Sequence, residues 1–92
     1  MQVITSKENE IVKKIKKLKE KKFRDLENSY IVEGIKLVKE AIDENQNIKY
    51  VVICEDCINN DMIDQKVLYE IAKLNCIYVT DKVFKYITDV SN

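Results

Sequence analysis

The rest of the chain is organised around residues 21–42, which read KKFRDLENSYIVEGIKLVKEAI. This stretch predicts the basic end of a helix, a polar connection, a short strand at residues 30–32 and then an amphipathic helix. The turn between that strand and that helix contains Gly34, which is the only glycine in a chain without proline. Because glycine adopts backbone conformations that other residues resist, we expect an unusual backbone angle at this position.

The composition predicts one globular domain. The chain has 92 residues, of which 46% are hydrophobic and 35% charged, as is typical of a small soluble domain. No apolar run approaches the roughly 20 residues of a membrane span, and the N-terminus lacks the apolar region of a signal peptide. Three cysteines, an odd number, argue against a secreted disulfide framework. We therefore expect a cytoplasmic protein that does not bind membranes.

Charge is distributed very unevenly along the chain. Residues 1–24 contain nine Lys/Arg and three Asp/Glu, a net charge of +6, whereas residues 25–92 contain seven and thirteen, a net charge of −6. This asymmetry is typical of a basic arm that binds a polyanion and is carried on an acidic body.

The basic arm has the pattern of an amphipathic helix. Thr5 and Glu8 match a capping box, which predicts a helix over about residues 6–22. Its apolar stripe consists of Ile11, Ile15 and Leu18, and the remaining surface is rich in lysine. The polar residues 25–29 predict a loop after this helix.

Three β-rich runs predict strands at residues 30–32, 50–54 and 76–79. The continuous apolar run at 50–54 is typical of a strand that is covered on both faces. With a helix after each strand, the order predicts right-handed crossovers and helices on both faces of the sheet. We therefore expect an α/β body over about residues 29–88, a three-layer α/β/α sandwich with a small, mainly parallel sheet.

The predicted helices of the body have identifiable ends. The helix after Gly34 should end at residues 45–47, and the last short helix should be capped by Thr80. Asp61 or Asp64 is the candidate N-cap of the helix between them.

Cysteine and acidic residues form a cluster that could suggest a metal site. Cys54 and Cys57 have C-x-x-C spacing, but only Cys76 could join them and the chain has no histidine. A structural zinc site needs four ligands, and the carboxylates between the two cysteines disfavour a reactive thiolate. The acidic residues Glu55, Asp56, Asp61 and Asp64 lack the glycine and spacing of an EF-hand loop. We predict reduced cysteines, a solvated acidic loop and no metal ligands.

The sequence also offers no catalytic residues in a convincing arrangement. It has no histidine to act as a base, no serine in a nucleophile elbow, no P-loop and no glycine-rich dinucleotide motif. Catalysis by this chain alone is therefore not expected.

The lysine-rich helix is the feature that indicates a binding function. Seven lysines between Lys13 and Lys22 are opposed only by Glu20, so i,i+4 ion pairs cannot account for them. One interpretation is a solvated face. The other is a phosphate-binding surface, on which Arg24 is the only guanidinium for bidentate or stacking contacts.

Two interpretations also remain open for Glu33 and Gly34. They could form an ordinary strand-to-helix turn in which Glu33 caps the helix. Alternatively, they lie where open α/β sheets bind ligands, so that helix N–H groups would meet a phosphate and Glu33 a base edge or ribose hydroxyl.

Three segments carry a family resemblance: ITSKENEIVKKIKKL, FRDLENSYIVEGIKLVKEA and VTDKVFKYITD. With them, the chain resembles the N-terminal substrate-binding domain of SpoU (TrmH-type) RNA 2′-O-ribose methyltransferases. The resemblance covers the whole chain and implies a fold similar to the ribosomal-protein and kink-turn-binding α/β/α sandwich. It also implies a separate catalytic SPOUT domain after residue 92, which would bind S-adenosylmethionine and transfer the methyl group.

The resemblance implies an RNA-recognition module for structured RNA, with ribosomal RNA as the first expectation and transfer RNA as the second. It implies no cofactor for these 92 residues and a homodimer for the full-length protein. A stand-alone kink-turn-type RNA adaptor and a protein-interaction module are the alternatives. The RNA-contacting positions that the resemblance implies are Lys13, Lys14, Lys17, Lys21, Lys22, Arg24, Glu33, Gly34 and Lys36.

Overall fold

The structure is a computed structural model that describes residues 2–57 and 64–88. In chain order its elements are β1 (Val3–Ile4), α1 (Glu10–Lys17), α2 (Lys21–Glu27), α3 (Ile35–Asp43), β2 (Val51–Cys54), a 3₁₀ turn (Glu55–Cys57), α4 (Gln65–Ile71), β3 (Cys76–Val79) and α5 (Asp81–Thr88). None of the helices within these residues combines the length and the hydropathy needed to cross a membrane.

The described strands form a three-stranded sheet with the order β1-β3-β2. Both pairings are parallel: Val3 lies opposite Tyr78 across one ladder, and Val51 lies opposite Cys76 across the other. The central strand β3 therefore comes late in the sequence and joins the first described strand to β2.

Alternating side chains of the strands face two separate helical layers, because successive residues of a strand point to opposite faces. On one face, Ile77 and Val79 pack with buried residues of α1 and α5. On the other face, Val51 packs with buried residues of α4 and with the partly buried Val38 of α3. The predicted α/β class, with helices on both faces of a small parallel sheet, is confirmed.

The predicted strand at residues 30–32 is wrong, since this segment is not part of the sheet. Only Ile31 packs against the core, whereas Tyr30 is 71% exposed and Val32 is 39% exposed. β-propensity reflects the fit of side chains to a pleated, half-buried surface. Of the three side chains in this segment, only that of Ile31 packs on such a surface, so the β-rich composition does not produce a strand. The third strand is β1, which pairs along the free edge of β3.

The predicted single helix over residues 6–22 is two helices. Asn9 caps α1, and its side chain accepts hydrogen bonds from the N–H groups of Ile11 at 2.9 Å and Val12 at 3.3 Å. Ser6, where the helix was expected to begin, instead accepts from the N–H of Glu8 within the preceding turn. Asparagine is among the strongest N-cap residues, so the helix begins where two N–H groups are satisfied at once.

The α1 helix ends at Lys17, and α2 begins at Lys21 after three intervening residues. The intervening N–H groups of Leu18, Lys19 and Glu20 each donate to the carbonyl three residues earlier, the tight pattern with which helices commonly end. The expected loop over residues 25–29 is also wrong at its start, because α2 continues to Glu27 and stops at Asn28 in the left-handed conformation.

Other predicted helix ends are confirmed. Asp64 caps α4 by accepting from the N–H of Lys66 at 2.8 Å, and Thr80 Oγ1 accepts from the N–H of Val83 at 3.3 Å at the start of α5. The α3 helix ends at Asp43, just before the predicted 45–47 segment. The alternative cap Asp61 lies outside the described residues.

Candidate nucleic-acid interface

The core packing of α1 determines which of its lysines face solvent. Val12 and Ile15 are buried against the sheet, so Lys13, Lys14 and Lys17 lie on the exposed side. Lys13 has an exposed ion pair with Glu10 at 3.6 Å, a kind of contact that contributes little to stability.

Lys16 differs from these neighbours because its side chain makes contacts within the protein. Its ammonium donates to the carbonyl oxygen of Tyr86 at 2.7 Å and lies 4.6 Å from the centre of the Tyr86 ring. This side chain therefore joins α1 to α5, and it is not one of the predicted RNA-contacting positions.

Phe23 brings together two of the predicted lysines. The ammonium of Lys17 lies 5.3 Å from the centre of the Phe23 ring, and that of Lys22 lies 5.1 Å from it. Both distances are within the range of about 6 Å for cation–π contacts. The Phe23 ring of α2 therefore contacts one lysine from each of the two basic helices.

Arg24 holds the junction between these helices. Its Nη1 donates to the carbonyl oxygens of Leu18 at 3.0 Å and Lys19 at 2.7 Å. The last carbonyls of a helix have no partner within the helix, so a guanidinium at this position satisfies them. Among the described residues, neither Nε nor Nη2 of Arg24 makes a hydrogen bond, which leaves that edge for a ligand.

A cleft of about 510 Å³ opens beside this junction. It brings together the end of α1, the middle of α2 and the connection to α3, with Leu18, Lys19, Arg24, Tyr30, Ile31 and Glu33 as its lining. Two of the predicted residues, Arg24 and Glu33, thus share one cavity. They make no ion pair within 4 Å in the described part of the chain.

Sequence reasoning did not select Lys19 or Tyr30 as site residues. Both lie within or next to the 21–42 stretch, and a signal was present: an aromatic side chain follows the polar residues Asn28 and Ser29. A tyrosine in such surroundings presents an apolar ring beside polar groups, as at many wet binding surfaces.

Gly34 has the expected unusual backbone, with φ 98° and ψ 147°. A Cβ atom there would meet nothing within 4 Å, so the requirement for glycine is conformational. Gly34 is the N-cap of α3, and no described side chain caps this helix, so the interpretation of Glu33 as a cap is wrong. Neither Gly34 nor Lys36 lines the cleft.

The remaining predicted cation, Lys21, is partly neutralised. Its ammonium lies 2.8 Å from the Asp25 carboxylate, and both side chains are exposed. Such a pair exchanges easily with another anion, because exposed ion pairs contribute at most about 1 kcal/mol.

A larger cleft of about 850 Å³ lies beside β1. Its only charged lining residue is Glu8, so it does not suit a polyanion. The cleft between the basic helices and Glu33 is the better candidate.

The cysteines occupy structural positions. Cys54 and Cys76 form no disulfide with a described cysteine. Cys54 is buried, and its Sγ lies 3.9 Å from Oδ1 of Asp81. Cys76 Sγ donates to the carbonyl of Ile71 at 3.2 Å, and burial raises the pKa of its thiol.

Asp56 lies near Cys54 and Asp81, but Asp81 pairs with Lys85 at 3.0 Å. The side chain of Cys57 lies outside the described part.

Comparison with known proteins gives two matches. The family model of the MRM3-like substrate-binding domain matches residues 9–92. The crystal structure of an rRNA methyltransferase from Sinorhizobium meliloti is similar with a TM-score of 0.76 and 32% sequence identity; the alignment covers 99% of this chain and 33% of that one. No curated protein sequence matches the chain.

Proposed function

Because the chain belongs to the MRM3-like substrate-binding domain family, we propose that it captures ribosomal RNA for a methyltransferase. The similar crystal structure is that of an rRNA methyltransferase, of which this chain spans 33%. Transfer RNA is the second substrate class that the proposal allows.

The observation that carries the proposal is the exposed cationic surface of α1 and α2. The net charge of +6 over residues 1–24 is opposed by −6 over the rest of the chain. The fold uses Lys16 internally but leaves Lys14, Lys17 and Lys22 exposed to solvent. Exposed ammonium groups in this density suit phosphates, which they bind with affinity and with little sequence specificity.

The proposal assigns methyl transfer to a separate catalytic domain of the whole protein. That domain would bind S-adenosylmethionine and methylate a ribose 2′-hydroxyl, as the resemblance of this sequence to SpoU-type RNA methyltransferases implies. This sequence itself offers neither a histidine base nor a glycine-rich cofactor loop. We further propose that the whole protein is a cytoplasmic homodimer.

Salt-dependent RNA binding tests the proposal. The 92-residue chain is titrated into a labelled ribosomal RNA hairpin at several salt concentrations between 50 and 300 mM. We expect log K to fall linearly with log salt, with a slope of about −3 to −5 if roughly four to six lysines contact phosphates. Binding that is unchanged across this range, or no binding at the lowest salt, contradicts the proposal.

A further inference from the structure

We propose that the cleft between the basic helices and Glu33 receives one unpaired nucleotide of the RNA, with its base stacked on Tyr30 and its Watson–Crick edge read by Glu33. This inference rests on the proposed function and adds to it a defined base-recognition subsite. It also assigns roles to Tyr30 and Lys19.

The volume of the cleft suits one nucleotide. Its volume of about 510 Å³ lies within the range of about 300–1,000 Å³ for small-ligand sites. Leu18 and Ile31 form an apolar part of the lining, and Ile31 also packs against the core around β3. The cleft therefore has a fixed apolar wall, whereas its other lining residues are polar or aromatic.

Tyr30 offers a stacking surface. Tyr30 is 71% exposed, so most of this residue remains accessible to a ligand. Tyr69 is similarly exposed at 69%, but the ammonium of Lys73 lies 4.7 Å from the centre of its ring. No described cation covers Tyr30 in this way. Single-stranded nucleic acids bind by stacking on such rings beside positive charge.

Glu33 supplies the acceptor. Glu33 lines the same cleft as Lys19 and Arg24, and its carboxylate forms no ion pair or side-chain hydrogen bond with a described residue. An ionised carboxylate only accepts hydrogen bonds. The Watson–Crick edge of guanine presents two adjacent donors, N1–H and the 2-amino group, which match the two oxygens of one carboxylate. Uracil presents one donor between two carbonyl oxygens, which a carboxylate repels.

The cations of the cleft would bind the phosphate of the same nucleotide. Arg24 is held by two backbone carbonyls through Nη1, so its remaining N–H groups are already oriented before RNA binds. A preorganised guanidinium loses less entropy on binding than a mobile one. Lys19, which is exposed, adds a second positive charge at the cleft.

The test uses two pentanucleotides, AAGAA and AAUAA, and the 92-residue chain in NMR titrations. We expect the ring signals of Tyr30 to shift and AAGAA to bind at least about fivefold more tightly than AAUAA. Tyr30→Ala should weaken AAGAA binding by about 5-fold to 150-fold, the range for losing one base–aromatic stack. Tyr30→Phe should retain binding. Glu33→Gln should abolish the preference for guanine.

Tyr69→Ala is the matched control, because it removes an equally exposed ring outside the cleft. The inference is overturned if Tyr30→Ala binds AAGAA as the parent chain does, or if Tyr69→Ala weakens binding as much. Circular dichroism melting verifies that each variant is folded. If structured RNA still binds with a steep salt dependence while Tyr30→Ala has no effect, only the cleft inference fails; if no RNA binds, the proposed function fails.

Discussion

Arg24 Nη1 donates to the carbonyl oxygen of Lys19 at 2.7 Å, and this contact ties the second basic helix back to the end of the first. The same nitrogen holds the carbonyl of Leu18 at 3.0 Å. The only arginine of the chain therefore stabilises the turn between α1 and α2, the two helices that carry the basic surface.

Replacing Arg24 with Met keeps the aliphatic stem and removes both hydrogen bonds. We expect the free energy of unfolding to fall by about 1–3 kcal/mol, since hydrogen bonds to charged groups are stronger than neutral ones. Urea denaturation measures this change. Lys21→Met, which removes only the exposed pair with Asp25, is the control and should change stability by less than about 1 kcal/mol. Equal stability of Arg24→Met and the parent chain would refute this role.

Reversing the charge of three lysines should reduce RNA affinity and its salt dependence. In Lys13→Glu/Lys14→Glu/Lys17→Glu the exposed face of α1 becomes acidic, and the slope of log K against log salt should decrease by about 2–3. The control is Lys66→Glu/Lys73→Glu/Lys82→Glu, which has the same change in net charge at exposed positions of α4, its C-terminal end and α5. If both triple variants lose affinity equally, net charge rather than this surface determines binding.

Lys16 and Lys17 are neighbours with opposite expected phenotypes. Lys16→Met removes the hydrogen bond and the ring contact to Tyr86, so it should lower the free energy of unfolding by about 1–2 kcal/mol and leave RNA affinity within about twofold. Lys17→Met should weaken RNA binding by more than about twofold, because Lys17 is exposed. It should lower the free energy of unfolding by less than about 1 kcal/mol, since it removes only the ring contact to Phe23. Thermal melts and RNA titrations of the two variants check this. A similar loss of RNA affinity in both would place Lys16 in the binding surface as well.

Gly34→Ala should destabilise the domain through its backbone alone. At φ 98° and ψ 147° an L-residue is strained, with a cost of about 1–3 kcal/mol, whereas a Cβ meets nothing within 4 Å. Chemical synthesis with D-alanine at position 34 supplies the control, since a D-residue adopts positive φ without strain. Denaturant midpoints should place the D-alanine protein near the parent and the L-alanine protein well below it; the opposite order would mean that side-chain contacts determine the effect.

Cys76 should react slowly with alkylating reagents at neutral pH. Burial raises the pKa of its thiol, so the thiolate, which is the reactive form, is scarcer than in an unfolded peptide. The folded protein binds the Cys76 proton more tightly than the unfolded chain does. The contribution of this group to the free energy of unfolding is therefore fully present below the pKa of Cys76 in the unfolded chain, and it is lost as pH rises through the pKa of Cys76 in the folded protein. Mass spectrometry of iodoacetamide-treated protein between pH 7 and 10, with the Cys76-containing unfolded peptide as reference, measures the rates. Faster labelling of Cys76 in the native chain than in the peptide at pH 8 contradicts this prediction.

Patterns of side chains predicted the layers of the fold but not every strand. The apolar runs that became β2 and β3 contain buried residues of both core clusters, Val51, Ile77 and Val79. Asp64 and Thr80 cap helices through local hydrogen bonds. In contrast, β1 has two residues, too few for a recognisable alternation. The resemblance to the substrate-binding domain of SpoU-type methyltransferases is confirmed by the family and structural matches.

The positive charge of the candidate site could be predicted from the sequence, but the arrangement of its side chains could not. Lysine density shows which helix is basic, but only tertiary contacts separate Lys16 from Lys17. The cleft depends on Arg24 folding back onto the end of α1 and on Tyr30 remaining outside the sheet. The Arg24 contacts join residues five and six positions apart, outside the i,i+3 and i,i+4 spacings from which helix patterns are read. The exposure of Tyr30 depends on which strands pair elsewhere in the fold. The individual RNA-contacting residues remain predictions.

The position of β3 in the middle of the sheet has a consequence for synthesis on the ribosome. Both strand pairings require β3, whose residues 76–79 are among the last of the described chain. Contacts between such distant residues form slowly, since a long loop must close first. The basic helices α1 and α2 therefore leave the exit tunnel before β3 and α5 do, and the buried face of α1 gains its packing partners only when those later elements have followed.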